Sequence, residues 1–214
     1  YFGVSLIPLV AVSGAPVTLR RDSAAAYWRK GFVPSTQSLI QGAVPVLPGE
    51  VCVFSWDGVL KETRSCLSEP VFSFEGETPD VISQRISFLV EQSVRRRLAN
   101  NPSPAVLLSG GIDSTVVTKA AQKLSSDNQD SQPLRVLTLA AALPFFNDEF
   151  YARYAAHRMR LPLEYVSPVR GRLADSIMRS FDLQDEPLGM ISYYMLVRLV
   201  EAVSSRSKVL LTGD

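Results

Sequence analysis

The spacing of apolar residues divides the chain into two parts. Up to about residue 62, short apolar runs alternate with turn residues, a pattern typical of β-strands. The apolar stretch 1–13 predicts the first strand. The Asp-Gly pair within Ser55-Trp56-Asp57-Gly58 predicts a hairpin turn between strands at 51–54 and 59–62. We therefore expect a β-rich first part.

One short helix and a polar connection complete this first part. The helix is expected at Ala24–Trp28, with Asp22 or Ser23 as its N-terminal cap. The segment 63–77 is rich in Ser, Glu, Gly and Pro, which is typical of a connection between domains. We therefore predict a first domain over residues 1–77.

From residue 78 onward the apolar spacing becomes helical. Thr78 and Pro79 suit the first positions of a helix. Apolar residues then recur at three- and four-residue steps and predict one buried face: Ile82, Ile86, Leu89, Val90, Val94 and Leu98. Further strands are predicted at 105–108, 135–142, 163–166 and 208–211, and further helices at 113–124, 148–159, 173–181 and 192–203. This alternation predicts an α/β domain over residues 78–214, with a parallel, doubly wound sheet covered on both faces.

Composition and charge argue against several classes of protein. A net charge of +1 gives no reason to expect binding to nucleic acid or to an anionic membrane, and the hydrophobic fraction of 46% can supply a core. No apolar run approaches the roughly 20 residues of a membrane helix. Cys52 and Cys66 lack metal-site spacing; a single disulfide is one interpretation, but two cysteines in a chain of this size favour reduced thiols in a cytoplasmic protein. The only histidine, His157, is expected on a helix surface, which argues against a zinc site or a His-dependent triad.

One loop carries the candidate chemistry. The apolar strand at 105–108 runs directly into Ser109-Gly110-Gly111-Ile112-Asp113-Ser114, and a helix begins at once. The two glycines leave the backbone open to a ligand. The free N–H groups of the first helical turn, together with the hydroxyls of Ser109 and Ser114, make an anion cradle. In a parallel sheet this turn lies at the carboxyl edge, where such folds bind ligands, so the loop predicts a site for nucleotide phosphates.

Asp113 is unexpected in such a cradle because a carboxylate repels phosphate. A divalent cation such as Mg²⁺ that bridges the two groups would resolve the conflict. The alternative is that Asp113 caps the helix and the two glycines only make a tight turn. The complete hexapeptide in its strand–turn–helix context favours nucleotide binding. Neither a G-x-x-x-x-G-K-[ST] loop nor a G-x-G-x-x-G fingerprint occurs, which argues against ordinary kinases, GTPases and dehydrogenases.

The hexapeptide resembles the pyrophosphate loop of the N-type ATP pyrophosphatases, the PP-loop superfamily. Flanking segments resemble the asparagine synthase (glutamine-hydrolysing) family in particular: residues 94–98, Asp185-Glu186-Pro187-Leu188-Gly189 and residues 209–214. Upstream, residues 26–32 and 42–50 resemble the end of that family's glutamine amidotransferase domain. The resemblance implies an adenine-nucleotide alpha-hydrolase-like architecture, preceded by a β-rich remnant of an amidotransferase domain.

Two departures limit the resemblance. The family's glutaminase uses an N-terminal cysteine as nucleophile, whereas this chain begins with Tyr1, so glutamine hydrolysis is not assigned. The chain also ends at Asp214, before the Gly-rich, acidic stretch in which a second magnesium carboxylate is expected. We therefore expect an excerpt of a longer polypeptide, with an ATP pyrophosphatase domain at 78–214 that is truncated at its C-terminus.

The resemblance implies that ATP, with Mg²⁺, adenylates a carboxylate, and that ammonia or glutamine-derived nitrogen then attacks the activated acyl group. Aspartate is the leading substrate and asparagine the product. The implied nucleotide contacts are Leu107, Leu108, Ser109, Gly110, Gly111, Asp113, Ser114, Ala141, Thr212 and Gly213. The implied catalytic residues are Asp113, which would bind the metal, and Asp214, which would approach the acyl-adenylate.

Other interpretations stay open at this point. A relative with the same adenylation chemistry could close a β-lactam or a peptide ring, and a non-catalytic relative could only bind nucleotide. Sulfur-transfer and NAD-forming relatives share the loop, but the upstream half is not expected in them. Glu149 and the Asp185-Glu186 pair are further candidates for the catalytic site, with solvated charges as the alternative. The assembly state is also open, a homodimer included.

Overall fold

The computed structural model describes residues 1–67, 76–99, 103–126, 133–140, 148–169, 171–187 and 193–213. Its internal contacts separate two compact units: Tyr1–Ser73 with Ile177–Tyr193, and Phe74–Ser176 with Tyr194–Asp214. The segment Ile177–Tyr193 therefore groups with the N-terminal unit, although it belongs to the stretch 78–214. The two domains predicted at 1–77 and 78–214 stay a prediction.

The first unit contains the hairpin that the Asp-Gly pair predicts. Strands β1 (Glu50–Phe54) and β2 (Leu60–Ser65) pair in antiparallel register. Gly58 has the positive φ of 82° that this turn requires, and its N–H donates to the carbonyl of Ser55 at 2.9 Å. The Ser55 hydroxyl lowers the pKa of Asp57 by a hydrogen bond within the same turn. The hairpin prediction is confirmed.

The strand predicted for residues 1–13 is wrong, because Leu6–Ser13 forms helix α1. A carboxylate that is distant in the sequence stabilises this helix. Asp185 accepts hydrogen bonds from the N–H groups of Leu6 at 2.8 Å and of the next residue at 3.2 Å, and from the hydroxyl of Ser5 at 2.7 Å. It thereby satisfies N–H groups that the first turn of a helix leaves without partners. A local apolar pattern contains no information about such a cap.

The second helix is longer than its pattern predicts. Helix α2 (Arg21–Lys30) begins before Ala24, so Asp22 and Ser23 lie inside it, and the prediction that either residue caps the helix is wrong. Ser23 is buried, and its hydroxyl donates to the side-chain oxygen of Gln37 at 3.0 Å. The side chain of Ser23 therefore forms a hydrogen bond within the first unit and does not cap the helix.

The second unit is built around a parallel sheet. Its strands are β3 (Ala105–Leu107), β4 (Arg135–Leu139), β5 (Leu163–Val166) and β6 (Leu210–Leu211), in the order β5-β4-β3-β6. Its helices are α3 (Pro79–Leu98), α4 (Ile112–Ser126) and α5 (Asp148–Met159), and the chain reaches β6 through α6 (Leu173–Asp182) and α7 (Tyr193–Ser204). The chain winds from β3 through β4 to β5 and then returns to place β6 on the other side of β3. The predicted parallel, doubly wound sheet is confirmed.

Helices cover both faces of this sheet. Neighbouring residues of a strand point to opposite sides, so each strand contributes to a buried cluster on each face. Val106 and Val136 belong to a buried cluster with residues of α3, α4 and α5. Ala105 and Leu137 belong to a second cluster with residues of α7. This two-sided burial explains why the strands have continuous apolar sequences.

The apolar face predicted for α3 is buried only near its C-terminal end. Val94 is buried, and Val90 and Leu98 pack against the core. Ile86 and Leu89 are each 52% exposed, so the predicted burial of these two residues is wrong. The periodicity defines a helical face, but it does not define how much of that face its neighbours cover.

Three expectations from composition can be compared with the structure. Cys52 and Cys66 are free thiols. His157 is exposed on α5, as predicted. Within the described residues, no helix combines the length and the apolar character that crossing a membrane requires.

Replacement of Asp185 by Ala is expected to loosen α1. Loss of an N-terminal cap typically costs about 1 kcal/mol, which corresponds to roughly fivefold faster amide hydrogen exchange when exchange proceeds by local opening. Asp185→Asn is the matched control, because Asn retains a capping oxygen. Unchanged exchange of the α1 amides in Asp185→Ala would contradict the capping role.

The advantage of the carboxylate over Asn is expected to depend on pH. The hydroxyl of Ser5, followed by the N–H of Leu6, lowers the pKa of Asp185 in the folded state. Its stabilising effect is therefore complete above the ordinary aspartate value of about 3.9 and is lost as the pH falls through the lower folded value. Amide exchange of α1 can be measured from neutral to acid pH in the wild type and in Asp185→Asn. The rates of the two proteins should converge only below about pH 4.

Candidate functional site

The candidate site lies where the sheet reverses its winding direction. The loop 109–114 follows β3, and the turn Thr212–Gly213 follows its neighbour β6. In doubly wound sheets, ligands bind outside the carboxyl ends of the strands at this reversal point. The structure therefore brings together two segments that are far apart in the sequence.

Gly110 allows helix α5 to approach the loop closely. Its φ is 84°, and a Cβ atom at this position would overlap the backbone of Tyr151 and lie 2.5 Å from the nitrogen of Ala152. A side chain at Gly110 is therefore excluded by both conformation and space. Gly111 differs, because the nearest atom to a Cβ there is the hydroxyl oxygen of Ser109 at 3.6 Å. Gly110 faces the protein, and Gly111 faces open space.

Gly213 makes a second close approach, on the other segment. A Cβ atom there would lie 2.5 Å from the nitrogen of Ser114 and 3.0 Å from the carbonyl carbon of Asp113. The turn Thr212–Gly213 therefore packs directly against the first turn of α4. Together with α5 at Gly110, this turn fixes the loop backbone.

The remaining side of the loop is open. Ser109 and the stretch 111–113 are exposed, and Gly110 is partly exposed. Within the described residues, the backbone N–H groups of 110–113 make no hydrogen bond, whereas the N–H of Thr115 donates to the carbonyl of Gly111 at 3.1 Å. A run of free N–H groups at a helix N-terminus is an anion site. The loop is not blocked by its own side chains.

The two serine hydroxyls hold the loop in its curved form. Ser114 Oγ donates to the carbonyl of Gly111 at 3.2 Å and accepts the N–H of Ser109 at 3.3 Å. The two hydroxyl oxygens are 3.0 Å apart. Ser114 is buried, whereas Ser109 is exposed.

Asp113 does not act as the helix cap that the alternative interpretation requires. Its side chain is exposed, and among the described residues no hydrogen bond to its carboxylate is found. No cluster of three or more His, Cys, Asp or Glu side chains that could hold a metal occurs in the described part of the chain. The exposed carboxylate of Asp113 would hold a cation here, and a carboxylate is a ligand that Mg²⁺ favours in nucleotide sites. The residues present fit that arrangement.

The other implied nucleotide contacts have different positions. Leu108 is fully buried and its N–H donates to the carbonyl of Leu137 at 2.8 Å, so this N–H serves the sheet; Leu107 ends β3. Ala141 and Asp214 lie outside the described residues. The roles assigned to all of these residues stay predictions.

Three acidic residues outside the loop were further candidates for the site, and two of them, Asp185 and Glu186, have hydrogen-bond partners in the first unit. Glu186 accepts hydrogen bonds from the hydroxyl of Ser38 at 2.5 Å and from the N–H of Leu39 at 2.7 Å, and Asp185 caps α1. These contacts favour a structural role for the pair within the first unit. Glu149 lies in the first turn of α5 and is partly exposed.

The contribution of α5 to the loop is missed by sequence reasoning. Its bounds match the prediction, but nothing in the apolar pattern indicates that Tyr151 and Ala152 touch Gly110. A signal is present in the residue sizes, because Ala152 and Ala156 are small and buried one helical turn apart. Small residues at this spacing allow a backbone to approach the helix closely.

The chain was compared with protein families, with curated proteins and with solved structures. The family model for asparagine synthase matches residues 85–214. No curated protein matches the chain. Among solved structures, the chain is similar to the NH3-dependent NAD synthetase from Campylobacter jejuni subsp. jejuni NCTC 11168 in complex with the nitrate ion, with 12% identity and a TM-score of 0.41 over 59% of this chain. That similarity covers 54% of the synthetase chain, about half of its length.

The family match includes the whole loop and the turn beside it, and it extends over more than half of the chain. The chain belongs to the asparagine synthase family.

Proposed function

We propose that this protein uses ATP to activate a carboxylate and then joins the acyl group to nitrogen, with aspartate as the carboxylate and asparagine as the product. The supporting observation is the loop 109–114, which holds a run of free N–H groups open at the reversal point of the sheet. Membership in the asparagine synthase family supports a carbon–nitrogen ligase that uses ATP. Three further statements belong to this proposal. The carboxylate is that of aspartate, the nitrogen comes from ammonia or glutamine, and the first unit derives from an amidotransferase domain.

The proposed reaction has two steps. A carboxylate oxygen attacks the α-phosphorus of ATP, the bond from that phosphorus to the bridging oxygen breaks, and pyrophosphate leaves with the electron pair. Ammonia then attacks the acyl carbon, loses a proton to solvent, and displaces AMP. Negative charge grows on the departing pyrophosphate in the first step, so a site for this anion lowers the barrier.

The chain's own groups suit this task. The N–H groups of 110–113 would donate to the phosphate oxygens, and removing one such contact typically costs on the order of 10²–10³ in rate. The carboxylate of Asp113 would hold Mg²⁺ against the same oxygens. When bound, Mg²⁺ neutralises charge on the phosphates.

Addition of aspartate is expected to start release of pyrophosphate and AMP in equal amounts from Mg²⁺, ATP and ammonia. Product release can be measured for a panel of carboxylates, and substitution of Gly111 by Ala should suppress it by narrowing the open side of the loop. The asparagine assignment fails if aspartate gives no product while a larger carboxylate, of the kind that closes a β-lactam or peptide ring, does.

Asp113→Asn is expected to change the affinities for Mg²⁺–ATP and for metal-free ATP in opposite directions. Affinity for Mg²⁺–ATP should fall about tenfold or more, on the scale of one charge-assisted contact. Affinity for ATP without metal should rise, because a carboxylate that repels phosphate has been removed. Calorimetric titrations with and without Mg²⁺ measure both effects.

Asp80→Asn is the matched control for this experiment, because Asp80 is another exposed acid in the first turn of a helix. It should leave both affinities unchanged. Equal affinities in the wild type and Asp113→Asn under both conditions would remove the metal role of Asp113.

Gly110→Ala and Gly111→Ala are expected to differ in stability. The first forces a Cβ atom into the backbone of α5 at a positive φ and should lower the free energy of unfolding by about 2 kcal/mol or more. The second meets a hydroxyl oxygen at 3.6 Å and should leave it within about 0.5 kcal/mol. Urea unfolding compares them, and equal losses would show that α5 does not confine the loop.

A further inference from the structure

The side chain of Tyr151 leaves helix α5 where the covered side of the loop 109–114 meets its open side. A Cβ atom at Gly110 would lie 2.4 Å from the carbonyl carbon of Tyr151 and 2.4 Å from its Cβ atom. The Tyr151 side chain therefore starts directly against the loop. The next loop positions, 111–113, are exposed. A ligand held by the N–H groups of 110–113 would therefore lie beside this side chain.

The buried face of α5 explains why Tyr151 stays outside the core. Ala152 and Ala156 are buried one helical turn apart and belong to the cluster that packs on the sheet. Tyr151 precedes Ala152, so the helical repeat turns it about 100° away from that residue. Tyr151 is 54% exposed. Its side chain therefore stands at the rim of the buried face, next to solvent.

The phenol of Tyr151 is a hydrogen-bond donor on a supported ring. The ring makes an edge-on contact with the ring of Phe150, with the two centroids 5.5 Å apart. Among the described residues, no hydrogen bond to the phenol of Tyr151 is found. A tyrosine combines a rigid apolar ring with a polar end, and its O–H can donate to a phosphate oxygen.

We propose that Tyr151 is a further binding residue of the site, and that its phenolic O–H donates to a phosphate oxygen of the nucleotide held by the loop. The inference deepens the proposed function and rests on it for the identity of the ligand. The N–H groups of 110–113 would approach the anion from the loop, and the phenol would approach it from α5. Because the backbone of α5 packs directly on Gly110, the two sets of donors are held together.

Calorimetric titration with inorganic pyrophosphate and Mg²⁺ tests this contact, because pyrophosphate is the part of ATP that the loop is proposed to hold. Tyr151→Phe removes the phenolic oxygen and keeps the ring beside Phe150. The affinity should fall about tenfold, the effect of one lost hydrogen bond to a charged group. Equal affinities in Tyr151→Phe and the wild type overturn the proposal.

Tyr154→Phe is the matched control for this titration. Tyr154 lies on the same helix and is similarly exposed, at 61%. Its variant should bind pyrophosphate as the wild type does. The same loss of affinity in both variants would show a general effect of the α5 surface and would also overturn the proposal.

The wild-type protein gives a second test that depends on no variant. Tetranitromethane nitrates exposed tyrosines, and tryptic cleavage after Arg153 places Tyr151 and Tyr154 on separate peptides for mass spectrometry. Saturating magnesium pyrophosphate should slow the nitration of Tyr151 and leave that of Tyr154 unchanged. Binding without selective protection of Tyr151 overturns the role of this residue alone. Absence of any binding by the wild type overturns the proposed function and this inference with it.

Discussion

The site depends on close backbone packing at two glycines. At Gly110 the backbone of α5 occupies the space that a side chain would need, and at Gly213 the first turn of α4 does so. These two contacts hold the loop without using any group that faces a ligand. The N–H groups of 110–113, which make no hydrogen bond within the described residues, therefore stay available to a ligand. A side chain at either glycine would move α5 or the turn after β6, and the cradle would lose part of its support.

The sheet explains why most of the second unit could be predicted. Short parallel strands buried on both faces have apolar sequences, and helices separate them, so local pattern and tertiary structure agree. The bounds of α5 (Asp148–Met159) and β5 (Leu163–Val166) match the predictions. The position of the loop follows from the same logic, because parallel strands place all of their carboxyl ends at one edge of the sheet. A strand–turn–helix sequence with two glycines was therefore enough to locate the candidate site.

Two features that could not be predicted depend on residues distant in the sequence. Asp185 satisfies terminal N–H groups of the first helix, which forms where a strand was expected, and no neighbour of Leu6 indicates that contact. The contact of Tyr151 with Gly110 also joins segments that only the fold brings together. Side-chain spacing along one element indicates which face is apolar. It contains no information about which backbone will lie against that face, or how closely.

The loop also shows that identical residue types within one motif have different physical roles. Gly110 gives space to the backbone of α5, whereas Gly111 faces open space. Ser114 is buried and hydrogen-bonds to the backbone of the loop, whereas Ser109 is exposed. Asp113 is the polar side chain of the loop for which the described residues provide no hydrogen bond. An exposed carboxylate beside a cradle for anions opposes binding unless a cation lies between them, so the metal role proposed for Asp113 depends on this charge more than on the glycines or the serines.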